Sequence, residues 1–364
     1  MVVCQNCFCD KEIRSIIKSL NNTGSCDICK KSDYTIHSEK NIDEWNQIVD
    51  YIYQIKEIYS PEDVLPKHFP EQKEFLLSDL FSTEWKIINA KLPKVEKDKI
   101  LQAFLTEDFD ESKKFGNSLI IDNDYLKNYS ILGDSSWNDF VDSLKHKNRF
   151  HSDFLNKDVL EIFCRCFEKY IPAKSEFLRG RIAKTEKGLN GAELEAPPKE
   201  FATAGRANSE GISRLYLADT QNTVLKEIRA GVFDFVSIAK FEANRNLLVV
   251  DFTALDEYSP YSMEVDINKL AVNKENLDNI NIELGKPMRR TDNLLDYVPT
   301  QYLIDFIESI RDKNEKRVYD GVMYKSVMNP GGVNLVVFDT SVFSQSKNIT
   351  TLRISSVTYS SSSL

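Results

Sequence analysis

Two cysteine pairs near the N-terminus set the tightest limit on what this chain can fold into. Cys4-x-x-Cys7 and Cys26-x-x-Cys29 flank residues 8–25, a gap of 18, and five of the chain's seven cysteines fall within residues 1–40. That spacing reads as a zinc site: each pair makes a tight turn presenting two thiolates, and two turns complete a tetrahedron. The first forty residues carry few apolar positions and cannot build a core unaided, so a metal would organise them. Cys9 is left over once four ligands close the shell. A redox role for Cys4-x-x-Cys7 lacks the βαβ setting such a motif needs.

At 364 residues, two or three units are expected. The formal net charge of -9 and pI near 5.2 oppose attraction to nucleic-acid backbones and anionic membranes, making nucleic acid an unlikely partner. No apolar run reaches the roughly 18 residues of a membrane span. The first residues show no signal-peptide pattern, so a reducing cytoplasm is the expected location, where disulfides are not expected.

Residues 41–170 read as mainly helical. Ile42, Trp45, Ile48, Val49, Ile52 and Ile55 recur at helical steps behind Asn41 as N-cap. Pro61, Pro66 and Pro70 interrupt the pattern. Further helices are predicted around Phe75–Phe81, Ile100–Phe104, Trp137–Val141 and Val159–Phe163. Past Pro172 the texture turns to β. Strands are predicted over 177–182, 215–218, 232–241 and 247–252, a helix from Asp219 or Thr220 to about Ala230 closed by Gly231, and a helix over 300–313. Val318–Val327 and Val333–Phe338 read as a hairpin, Thr351–Thr358 as a last strand, and the serine-rich end as frayed. The fold class is therefore α+β, a zinc knot (1–40) and helical domain (41–170) followed by a mixed-sheet domain (171–364). Neither a G-x-G-x-x-G turn after a strand nor a P-loop is present.

Five segments carry chemistry: Phe177-Leu178-Arg179-Gly180-Arg181, Ala204-Gly205-Arg206-Ala207-Asn208, Arg214-Leu215-Tyr216-Leu217-Ala218-Asp219, Leu225-Lys226-Glu227 and Tyr319-Asp320-Gly321-Val322-Met323-Tyr324-Lys325-Ser326. In order and spacing they resemble the RES family, named for its arginine, glutamate and serine, over roughly residues 171–340. The resemblance implies a toxin-like enzyme that consumes NAD+ on a fold similar to ADP-ribosyltransferases. It implies Arg179, Glu227 and Ser326 as catalytic residues, with Arg181 the reserve should the alignment slip by two. It further implies Arg206, Tyr216 and Asn334 as contacts to the dinucleotide. Many RES sequences carry tryptophan where Ala207 stands here, so stacking at that point is not implied. The N-terminal half looks like the zinc-knot and HEPN-like region attached to some RES proteins. HEPN ribonucleases carry an arginine followed several residues on by a histidine; Arg149 precedes His151 by only two positions, which disfavours RNase activity.

Nicotinamide is cationic while attached to ribose and leaves without a strong general acid. Such chemistry needs a carboxylate beside the developing oxocarbenium ion, a guanidinium fork for the pyrophosphate and a hydroxyl to fix a polar group. Glu227, Arg179 and Ser326 supply these types, and four histidines give a Ser-His-Asp mechanism little support. The leading expectation is release of nicotinamide to water or phosphate, depleting NAD+ in growth arrest or phage defence. ADP-ribosylation of a protein is a second reading, and a non-enzymatic partner-binding regulator a third. An antitoxin, a phage-derived trigger and self-association are open possibilities for partners.

Overall fold

The computed structural model describes residues 1–62, 73–151, 153–256, 258–287 and 293–358. Pro66, Pro70 and the serine-rich end after residue 358 lie outside the described residues. The chain divides into two compact units, Met1–Asp134 with Tyr258–Lys274, and Ser135–Glu257 with Glu275–Leu364.

In the first unit, β1 (Val2–Cys4) and β2 (Thr23–Ser25) flank β3 (Ser32–His37), both antiparallel to it. The helix Lys11–Ser19 starts where Asp10 Oδ1 accepts from the backbone N–H groups of Glu12 and Ile13, both at 3.0 Å. The helix Ile42–Glu57 buries Trp45, Ile48, Ile52 and Ile55 of the predicted stripe, while Val49 is half-buried and Ile42, in the first turn, is exposed. Asn41 stands at its N-cap position but does not cap. Its Oδ1 accepts instead from His37 N at 3.1 Å and Asn22 Nδ2 at 3.2 Å. Phe104, on the helix Lys94–Leu105, stacks on Trp45 with ring centroids 4.4 Å apart. The helix predicted around Phe75–Phe81 forms, but it starts two residues later, at Leu77. Phe75–Leu76 form β5, and Leu77–Asp79 and Leu80–Glu84 are helical. β4 (Tyr59–Pro61) and β5 pair on either side of β6 (Lys114–Asn117), so this region holds a small sheet as well as helices.

The second unit is built on one sheet. Its strands are β7 (Glu168–Ile171), β8 (Glu176–Ala183), β9 (Leu215–Ala218), β10 (Phe235–Ala243), β11 (Leu247–Asp251), β12 (Gly321–Lys325), β13 (Val333–Val337) and β14 (Phe343–Arg353). Their order is β14-β10-β8-β9-β13-β12-β11-β7, antiparallel except for β11 beside β12. The α+β mixed-sheet class is therefore present, and the hairpin β12–β13 forms as read. The last strand runs Phe343–Arg353 instead of Thr351–Thr358, because β14 pairs along β10 from Ala243 to Phe235, with a register shift at Lys240.

Side-chain alternation gives the sheet two apolar faces. Leu215, Leu217, Ala239, Phe241, Leu335 and Val337 pack on one. Ala218, Val236 and Ile238 pack on the other, against Val224 of the helix Gln221–Glu227. Gly180 of β8 lies directly under that helix: a Cβ there would sit 2.5 Å from Val224 Cγ1. Gly180→Ala should therefore lower unfolding stability by about 1–3 kcal/mol through overpacking. An unchanged thermal midpoint would show instead that the helix can ride away from the sheet.

Candidate active site

The sheet splits between β8 and β9. These neighbours share a single registered pair, Leu178 with Ala218, whereas β10 pairs with β8 over eight residues. Beyond Leu178 the strands diverge, and the gap becomes a cleft of about 280 Å³. Arg179, Arg181, Tyr216, Tyr324, Glu227 and Asn334 line it. Six motif-bearing residues or neighbours, scattered over 156 positions of sequence from 179 to 334, thus meet at one opening.

Glu227 is the last residue of a seven-residue helix. Thr220 Oγ1 caps the start by accepting from Thr223 N at 3.2 Å. The end comes earlier than predicted: Arg229, at φ 53°, takes the left-handed position expected of Gly231, and Ala230 N donates to Leu225 O at 3.0 Å. A carboxylate in the last turn opposes the helix dipole, so helix stability does not explain Glu227. Its surroundings do. Glu227 Oε1 accepts from Ser326 Oγ at 2.6 Å and from Asn334 Nδ2 at 2.7 Å. Oε2 accepts no hydrogen bond among the described residues and is left for the cleft.

Arg179 spans the split, its Nη1 donating to Tyr216 O at 2.9 Å, while its buried Nε has no partner among the described residues. Burial, and next the charge of Arg181, push its pKa down to about 10, so it stays cationic at neutral pH. Arg181 Nη2 donates to Glu195 O at 3.2 Å, and burial lowers its pKa too. Among the described residues no carboxylate ion-pairs with either arginine. Two desolvated cations of like sign beside a cleft make it a natural anion site.

Tyr216 presents its ring to the cleft, but its hydroxyl is already occupied. It donates to Asn208 Oδ1 at 2.6 Å and accepts from Ala207 N at 3.1 Å. Burial raises its pKa to about 12. A Cβ on Gly205 would stand 2.8 Å from this hydroxyl, the physical need behind the glycine. Asn208 Nδ2 donates to the carbonyls of Thr203, Ser209 and Ile212 and so holds the turn.

Arg206 does not join the cleft. Its Nη1 and Nη2 donate to the carbonyls of Glu283 at 2.7 Å and Lys286 at 2.6 Å, where the helix Ile267–Gly285 ends. Carbonyls at a helix end are left short of intrahelical donors, and a guanidinium fork reaches two of them at once. Ser326 is buried behind Glu227 and does not line the cleft. Tyr324, from the same motif segment as Ser326, lines the cleft, while Asn329 and Thr223, which were given no role from the sequence, bond behind it: Asn329 N donates to Ser326 Oγ and Asn329 Nδ2 to Thr223 Oγ1. A larger hollow of about 800 Å³, with Arg149, Phe150, Gln301 and Phe306 among its walls, shares no lining residue with the cleft.

In the first unit, the sulfurs of Cys4, Cys7, Cys26 and Cys29 all lie within 4.8 Å of one another. A tetrahedral zinc with Zn–S of about 2.3 Å needs S···S edges of about 3.8 Å. The edges Cys4–Cys29, Cys7–Cys26 and Cys4–Cys7 measure 3.5, 3.6 and 3.8 Å. The donor set fits such an ion, and Cys9 stands outside it.

The fold and cleft define an α+β unit that brings a carboxylate, and arginines without ionic partners among the described residues, to a split sheet. The family model of the RES domain matches residues 181–357, and this half of the chain is a RES domain. That domain is associated with NAD-consuming toxin function. The matched range holds Glu227, Ser326 and Asn334 and begins at Arg181, two residues past Arg179. No curated protein and no solved structure matches the chain. Among the described residues, no helix is long and apolar enough to cross a membrane.

Tyr216→Phe removes both hydroxyl bonds and leaves Asn208 Oδ1 and Ala207 N–H without this partner. Denaturant unfolding should show a loss of about 1–3 kcal/mol; no loss would mean that the turn is held without this hydroxyl.

Proposed function

We propose that the second unit cleaves the nicotinamide–ribose bond of NAD+. The observation that carries this reading is the pairing in one cleft of a carboxylate anchored through a single oxygen with two arginines lacking ionic partners. Arg179 and Arg181 would take the pyrophosphate, and the ring of Tyr216 would wall the nicotinamide. Glu227 Oε2 would receive a ribose hydroxyl and face the positive charge that develops as the C–N bond breaks. Ser326 and Asn334 act through Glu227: two donors on Oε1 fix the rotation of the carboxylate, so no reorganisation is needed in the transition state. A cleft of about 280 Å³ lies near the lower bound of about 300 Å³ for small-molecule sites. It suits the nicotinamide riboside end, with the adenosine half outside. Water or phosphate then captures the ribosyl cation, and loss of NAD+ accounts for a toxin-like effect.

Purified protein incubated with NAD+ should release free nicotinamide. Glu227→Gln, which keeps shape but not charge, should slow release by about 10²–10⁴-fold. Full activity in that variant, or no turnover by the wild type, removes the reading; transfer of ADP-ribose to a protein with little free product would redirect it to ADP-ribosylation.

We also propose that Cys4, Cys7, Cys26 and Cys29 hold a structural zinc. Elemental analysis should give about one zinc per chain, and chelation should lower the melting point. Metal-free protein with an unchanged melting curve would count against it.

A further inference from the structure

Ser326 Oγ has one proton, and the structure dictates where it points. Asn329 N donates to Ser326 Oγ at 3.0 Å, so the hydroxyl accepts there and gives its own proton to Glu227 Oε1 at 2.6 Å. That backbone N–H sits in the turn joining β12 to β13, closed by Ser326 N to Gly332 O and Gly332 N to Asn329 O, both 2.8 Å. Gly331, at φ 82°, gives the turn its left-handed step.

The Asn329 side chain ties this turn to the helix that carries Glu227. Its Nδ2 donates to Thr223 Oγ1 at 2.9 Å, and its Oδ1 accepts from Lys226 Nζ at 2.9 Å and Asn222 Nδ2 at 3.1 Å. Thr223 is fully buried, and its hydroxyl donates to Asp219 Oδ1 at 2.7 Å, which orients it to accept from Asn329. The turn is pressed close: a Cβ on Gly332 would lie 2.5 Å from Thr223 Oγ1 and 2.8 Å from Asn329 Nδ2. All of Asn329's side-chain contacts named here fall on one helix, whose last residue is Glu227.

We infer that Asn329 is a positioning residue for the carboxylate, clamping the β12–β13 turn to the Glu227 helix so that Ser326 delivers its proton to Glu227 Oε1. The inference rests on the NAD+-cleaving reading above. It assigns Ser326 the role of donor to Glu227 Oε1, since the backbone N–H of Asn329 donates to its oxygen, and gives it no nucleophilic step. Asn329 touches no substrate; it works by distance.

The test is steady-state nicotinamide release by the full chain as wild type, Ser326→Ala, Asn329→Ala, the two combined, and Thr223→Val. Asn329→Ala should lower kcat by about 10–100-fold, as small misplacements do, while KM for NAD+ stays within about threefold. In the Ser326→Ala background the same change should cost less than about threefold, because the effect runs through that hydroxyl. Thr223→Val keeps side-chain volume and should repeat the kcat loss in a well-folded chain. Unchanged kcat in Asn329→Ala, or equal losses in both backgrounds, overturns the inference while an active wild type leaves the functional reading standing. A wild type that releases no nicotinamide removes that reading and this inference together.

Discussion

One missing ladder underlies the site. β8 and β9 are neighbours in the sheet order, yet Leu178 and Ala218 form their only registered pair. Had pairing continued through Gly180 and Tyr216, the gap would close and Arg179 would lose the space its guanidinium spans. The split leaves backbone groups unpaired, which a protein tolerates only where something else satisfies them. Arg179 does so in part, donating to Tyr216 O across the opening. The residue that grips the anion in the proposed mechanism also props the cleft.

Around that opening the chain holds each group by a different device. Gly180 lets a short helix lie against β8, the left-handed Arg229 stops that helix at Glu227, and the β12–β13 turn brings Ser326 and Asn334 to one oxygen of the carboxylate. The result is polarised. One oxygen of Glu227 is satisfied by protein and the other is not, while two arginines opposite lack ionic partners. Such incomplete satisfaction of a carboxylate and two arginines at one cleft points to a ligand that completes it.

Much of this was legible in the residues. The strand Leu215–Ala218 matched its apolar run, Thr220 capped the helix it was read to cap, and the arginine, glutamate and serine fell within reach of one cleft or of each other. What escaped has physical causes. The helix Ile267–Gly285 has no clean apolar stripe because buried Asn273 and Lys274 interrupt it. Asn273 bonds Ile131 N and Tyr129 O, and Lys274 lies 4.9 Å over the Trp85 ring, so polar side chains occupy core positions there. Without that helix in view, the resemblance led Arg206 to be read as a dinucleotide contact, when its guanidinium donates to the carbonyls of Glu283 and Lys286. Asn329 drew no notice within the hairpin read over 318–338, since a turn asparagine carries no signal of what its side chain touches across the sheet.

The central claim is that the split between β8 and β9 receives the nicotinamide end of NAD+. A crystal structure of the Glu227→Gln variant soaked with NAD+ addresses it most directly. The account predicts the nicotinamide riboside in the opening between Arg179 and residue 227, with the pyrophosphate against the two arginines of β8. Dinucleotide density in the hollow walled by Arg149 and Phe306, with the split left open to solvent, would contradict it.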